Sequence, residues 1–141
     1  MGKLGGTGAA GIMHRGGCHC GAVRFEFRAP PRATVQRCNC SICAKTAYLH
    51  LIVPEADFRL LAGAGELETY TFNTGVARHQ FCRRCGVKAF YVPRSNPDGR
   101  SINLRCVAPG TLEHVAVEDF DGRHWEAHGP ALRSLTAAAP A

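Results

Sequence analysis

The chain of 141 residues has no apolar run approaching the roughly 18 residues that a membrane-spanning helix needs. It also lacks any basic run: of 17 Lys and Arg, only Arg83 and Arg84 are adjacent. Aromatic residues make up just 8%, and no stripe interleaves them with positive charge. A nucleic-acid binder needs cations to track phosphates and rings to stack on bases, so this pattern speaks against a nucleic-acid partner. No window of helical length carries a sustained apolar stripe, which argues against a helical bundle. Residues 1–12 hold five Gly and one Lys without an apolar centre, so they read as a flexible Gly-rich leader, not a secretory signal. Met13 is then a candidate natural start. Without a targeting signal the expected compartment is the cytoplasm, where disulfides are disfavoured and clustered cysteines are more often metal ligands.

Turn chemistry and strand-like alternation are abundant. Residues 22–28 (Ala-Val-Arg-Phe-Glu-Phe-Arg) put Val23, Phe25 and Phe27 on one face and charges on the other. Residues 49–53, 67–72, 88–92 and 101–107 read as further strands, the last with Ile102, Leu104 and Cys106 on a common face. Gly-, Pro- and Asn-rich turns separate them. Helix is expected only as a turn or two at 41–46 and 54–58. The expected fold is mainly β, an antiparallel domain over residues 13–128 with metal-stapled turns, followed by a flexible tail at 129–141. A net charge of +6 favours anionic partners, without choosing among them.

Eight cysteines stand out, seven of them in tight local groups. The pairs Cys18-His19-Cys20-Gly21 and Cys82-Arg83-Arg84-Cys85-Gly86 each end in Gly, which lets the chain turn back while amides point at sulfur. Together they can close a tetrahedral four-thiolate zinc site, a structural staple. Reduced, buried cysteines at strand ends are the plainer alternative. Cys38-Asn39-Cys40-Ser41-Ile42-Cys43 offers three thiolates in six residues, the pattern of a zinc with one open position. Zinc with three thiolates is left with a charge of −1, a poor Lewis acid but a good host for a fourth, exogenous sulfur held as a nucleophile. Alternatively Cys106, His50 or His79 closes that site, or the cluster works as a redox switch. Cys106 by its alternation reads as a buried core residue. Lys45 and Arg37 flank the triplet and are placed to balance its charge.

The three cysteine motifs, in order with Gly17 and residues 22–25 (Ala-Val-Arg-Phe), resemble those of the glutathione-dependent formaldehyde-activating and centromere-protein-V family. Residues 102–107 (Ile-Asn-Leu-Arg-Cys-Val), Phe120-Asp121-Gly122 and Trp125-Glu126 resemble that family's closing segment. The resemblance covers nearly all of residues 14–128. It implies an Mss4-like fold of antiparallel sheets, a structural zinc on Cys18, Cys20, Cys82 and Cys85, and a second, functional zinc on Cys38, Cys40 and Cys43. It also implies a carbon–sulfur lyase activity that joins glutathione to formaldehyde. Arg78, Arg83, Arg84, Arg94 and Arg105 are candidates to meet the carboxylates of such a thiol. A zinc module that binds a thiol or docks on another chain without turnover is the competing reading.

Overall fold

The computed structural model describes residues 11–136. The strands are β1 (Ile12–Gly17), β2 (Arg24–Ala29), β3 (Arg32–Cys38), β4 (Leu49–Pro54), β5 (Phe58–Ala62), β6 (Leu67–Tyr70), β7 (His79–Cys82), β8 (Phe90–Tyr91), β9 (Gly99–Asn103) and β10 (His114–Phe120). Two short helices, α1 (Ser41–Thr46) and α2 (Trp125–His128), join several 3₁₀ turns. The fold is mainly β with little helix, as expected. Three sheets form, in the orders β1-β2-β5, β10-β3-β4-β9-β8 and β6-β7.

Every strand pair is antiparallel except β3 with β10, which run parallel from His114 beside Arg32 to Phe120 beside Cys38. An all-antiparallel arrangement was expected, and the long connection explains the difference. Parallel partners need a crossover, and the whole stretch between β3 and β10 supplies it.

Alternation sorts the side chains of the five-stranded sheet into two jobs. Val35, Leu51, Val53, Phe90 and Ile102 point into the core, where they meet Val23, Phe25 and Phe27 of the β1-β2-β5 region. Phe25 stacks on Phe58 at 5.6 Å and meets the edge of Phe90 at 5.9 Å. Full burial of one such ring contributes on the order of 1.5–3 kcal/mol. The alternate residues Gln36, Cys38, His50, Ile52 and Tyr91 face the other way and line a cavity. One sheet therefore supplies both the core and the wall of the site.

Two local expectations come out differently. The charges of β2 do not all face water: Glu26 is only 4% exposed. It is opposite Arg15 on β1 and Arg59 on β5, and Arg59 Nη2 donates to its carboxylate at 2.6 Å. The strand expected over 101–107 stops at Asn103, whose side-chain oxygen accepts from Arg105 N at 3.1 Å and starts a 3₁₀ turn. Cys106 thus leaves the sheet and is half-buried against the core rather than inside it.

Residues placed by sequence in the tail pack on the domain. Gly129–Leu135 forms 3₁₀ turns, Thr136 Oγ1 donates to Asp98 at 2.6 Å, and the fully buried Asn96 donates to Leu132 O at 2.8 Å. At the other end Ile12 pairs with Ala29. Residues 1–10 of the expected leader and 137–141 of the expected tail lie outside the described residues.

Candidate metal centres and the cavity beside them

Cys18 and Cys20 sit in the turn between β1 and β2; Cys82 ends β7 and Cys85 follows in its turn. Gly21 and Gly86 adopt φ of +83° and +78°, a left-handed backbone that a side chain would strain. Val23 N donates to Cys18 Sγ and Arg84 N to Cys82 Sγ, both at 3.3 Å. The four sulfurs lie within 4.8 Å of one another. Cys18 and Cys20 are 3.6 Å apart and Cys20 and Cys82 3.7 Å. A disulfide needs about 2.05 Å, whereas a tetrahedron with zinc–sulfur arms of about 2.3 Å has edges of about 3.8 Å. The donor set and its spacing fit a closed zinc site. The four sulfurs bring the β1-β2 hairpin and the β6-β7 hairpin together.

The second group is built from one continuous stretch. Cys38 ends β3, Cys40 is the N-cap of α1, and Cys43 is buried one turn into it. Their three sulfurs also lie within 4.8 Å of one another. Hydrogen bonds from Cys38 and Cys43 hold the Cys40 thiol far below its usual range, and the same contacts, with burial, push Cys43 up. Three mutually close sulfurs make a donor set that suits a soft cation. The cluster of mutually close donors stops at these three sulfurs. His50 comes near on one side only: its Nε2 is 3.1 Å from Cys43 Sγ, while Nδ1 is engaged by Ser101 Oγ at 2.9 Å and Tyr91 OH at 3.2 Å. Burial, then Lys88, pushes His50 down to about 3, so the ring is neutral. His79 and Cys106 do not join the group either. Cys106 instead lies near the other cluster, and burial with Cys18 and Cys85 raises its thiol to about 11.

All three thiols open onto a cavity of about 420 Å³, within the size range of small-molecule sites. A family model described as glutathione-dependent formaldehyde-activating enzyme matches residues 13–122, a span holding both sulfur clusters and most of the cavity wall. The chain belongs to that family. A Halomonas elongata protein, provisionally named a glutathione-dependent formaldehyde-activating enzyme, is 38% identical over 122 residues, covering 77% of each chain. A crystal structure of a Rhodobacter sphaeroides protein shares 33% identity and a TM-score of 0.61, covering 74% of this chain and 99% of that one.

In this family member the cavity roof comes from the segment after β10. Gly122 lies so close to the triplet that a Cβ there would collide with Cys38 Sγ and lie 3.0 Å from the Cys40 Cβ. Asn39 secures the segment by donating to Asp121 at 3.0 Å and accepting from Arg123 N at 3.0 Å. At the mouth Arg94 lies 3.8 Å over the Trp125 ring and 3.5 Å from Glu126.

Of the arginines singled out by sequence, only Arg94 lines this cavity. Arg83 and Arg84 both bind Glu66, at 3.2 and 2.7 Å, beside the four-cysteine cluster. Arg78 pairs through its backbone with Val92, and Arg105 lies across Cys38 and Cys43 from the cavity. Arg37 is bound to Asp119 at 2.7 Å, and Lys45 is exposed on α1. Sequence reasoning missed Arg123, Tyr91 and Lys88. None of them has a spacing signal relative to the cysteines, because strand pairing alone brings them near.

Proposed function

We propose that this protein adds glutathione, or a similar small thiol, to formaldehyde or a related carbonyl, with zinc in both sulfur clusters. The observation that supports it most is the three-sulfur group, lacking a fourth described ligand and opening onto a cavity of small-molecule size. Zinc held by Cys38, Cys40 and Cys43 would bind the substrate thiol in its open position and keep it as the thiolate. The cluster of Cys18, Cys20, Cys82 and Cys85 would hold the other zinc as a structural staple.

The chain's own residues then have definable tasks. Arg94, held in place by Trp125 and Glu126, and Arg123 face the cavity where the carboxylates of a glutathione-like ligand would lie. The neutral His50 buttresses Cys43 without competing for the substrate's place. Asn39, Asp121 and Gly122 hold the roof against the triplet and narrow the access of water. The sulfur attacks the carbonyl carbon, a carbon–sulfur bond forms, and the carbonyl oxygen becomes a hydroxyl. This is carbon–sulfur lyase chemistry run in the direction of synthesis. No helix among the described residues is long and apolar enough to cross a membrane.

The test pairs metal analysis with sulfur coordination at the Cys38–Cys43 group, measured with and without glutathione. The expected result is two zinc ions per chain and a gain of one sulfur ligand on adding glutathione. Exchange NMR should show faster S-hydroxymethylglutathione formation with wild type than with Cys40→Ser. Four protein ligands unchanged by glutathione would overturn the proposal. Binding of glutathione with no rate enhancement would leave a thiol-binding module instead.

A further inference from the structure

Addition of a thiolate to an aldehyde leaves an oxyanion that needs a proton, and the thiol's own proton has already departed. His79 and Lys88 stand where that proton can be delivered. His79 opens β7, is 5% exposed, and lines the same cavity as the three cysteines. Its ring stacks on Tyr91 at 4.8 Å and 17° and on Phe72 at 5.3 Å and 23°, which holds the ring plane. Lys88 Nζ lies 2.6 Å from His79 Nδ1.

That contact decides which nitrogen carries the proton. An ammonium offers only donors, so Nδ1 accepts and the neutral ring keeps its hydrogen on Nε2. Nε2 has no hydrogen-bond partner among the described residues. It is also not sealed away from solvent, since Gln36 Oε1 is the unpartnered buried side-chain atom found among them. A fixed N–H donor is thus left unspent on a ring that lines the cavity. Behind it, Lys88 is packed 3.9 Å over the Tyr91 ring and 5.0 Å over Tyr48, yet only half-buried, so it joins His79 to solvent.

We propose that Lys88 and His79 form a proton relay into the cavity, His79 being the catalytic residue that touches the carbonyl oxygen of the substrate. The inference rests on the thiol-addition reading above. As the sulfur bonds to the carbonyl carbon, the π pair of the C=O bond moves onto oxygen. The oxygen takes the Nε2 proton of His79, and Nδ1 takes one from the Lys88 ammonium. Lys88 is left as a neutral amine and His79 as a neutral ring with its hydrogen on Nδ1. The relay resets when Nδ1 returns its proton to Lys88 and Nε2 takes one from cavity water, which balances the one lost when the thiol became a thiolate. Burial lowers Lys88 to about 8, with Cys43 and Cys40 opposing, which makes its proton available. Burial together with Lys88 lowers His79 to about 4, which keeps it neutral at rest.

The experiment reads the chain of hydrogen bonds separately from turnover. Long-range ¹H–¹⁵N correlation on full-length, ¹⁵N-labelled, zinc-loaded protein should show His79 protonated on Nε2 with a hydrogen-bonded Nδ1, and Lys88→Met should shift that Nδ1 signal. His79→Phe keeps a stacked ring but no N–H, and is expected to lower kcat by about 10²-fold while the glutathione Kd stays within about twofold. Lys88→Arg keeps a cation that donates but does not release its proton, so it should restore the tautomer and leave kcat low. An Nδ1-protonated His79, a signal unmoved by Lys88→Met, wild-type kcat in His79→Phe, or full rescue by Lys88→Arg each overturns the relay. Failure of wild type to accelerate the addition overturns the thiol-addition reading instead, while the NMR result still judges the hydrogen-bond chain.

Discussion

The two sulfur clusters are made of the same residue on the same small fold, and they differ in where their members come from. Cys18 and Cys20 are joined to Cys82 and Cys85 across two hairpins, whereas Cys38, Cys40 and Cys43 belong to one strand end and one helical turn. A set that bridges distant segments ties down chain entropy, so whatever binds it is coupled to folding. A set drawn from a single turn ties little together, and its geometry can serve a ligand. Their surroundings agree with the division. The bridging set is wrapped by backbone N–H groups, while the local set opens onto the cavity and is backed by His50, Ser101 and Tyr91.

The sharpest way to break this contrast is to remove sulfurs from each cluster in turn. Cys82→Ser with Cys85→Ser should cost most of the roughly 5–15 kcal/mol that holds a small domain folded, read as loss of the cooperative thermal transition. Cys40→Ser should keep that transition, bind one zinc fewer, and drop to the uncatalysed rate in the exchange assay. If the two variants were equally unfolded, the division of labour would be wrong. At the mouth, Arg94→Ala should raise KM for glutathione about tenfold, as expected for losing a charged hydrogen bond of about 1.5 kcal/mol. KM for an uncharged thiol such as 2-mercaptoethanol should stay put, and an equal rise for both would place Arg94 outside substrate recognition.

The contrast can also be sharpened by pH. His79 has a folded pKa of about 4, below the usual 6.5, chiefly through burial. Between those values the unfolded chain binds the extra proton, so stability falls as pH drops from about 6.5 toward 4. Thermal melts across that window should show a steeper loss for wild type than for His79→Phe. Parallel curves would mean that His79 is not buried neutral.

Much of this was legible in sequence where the signal is local. The Phe25–Phe27 alternation marks β2, the branched residues 49–53 mark β4, and the cysteines stand out because they recur at spacings of two or three residues. Strands β3 and β10 were not legible, since Arg-Ala-Thr-Val-Gln-Arg-Cys and His-Val-Ala-Val-Glu-Asp-Phe mix polar and apolar residues on both faces. Their parallel pairing depends on partners far away in the chain. The same holds for the site beyond sulfur. His79, Lys88 and Tyr91 meet only once β7, β8 and β9 are assembled, and Glu26 is buried only because two arginines from neighbouring strands cover it.

The parallel seating of β10 on β3 has a consequence for how the molecule is made. Asn39 and Asp121, which lock the roof to the triplet, are 82 residues apart. A ribosome adding about 5–20 residues per second therefore releases the three thiols several seconds before the segment that shields them. During that interval Cys38, Cys40 and Cys43 are open to any ion or oxidant the cell provides. The roof of the cavity is thus among the last parts of the site to be made.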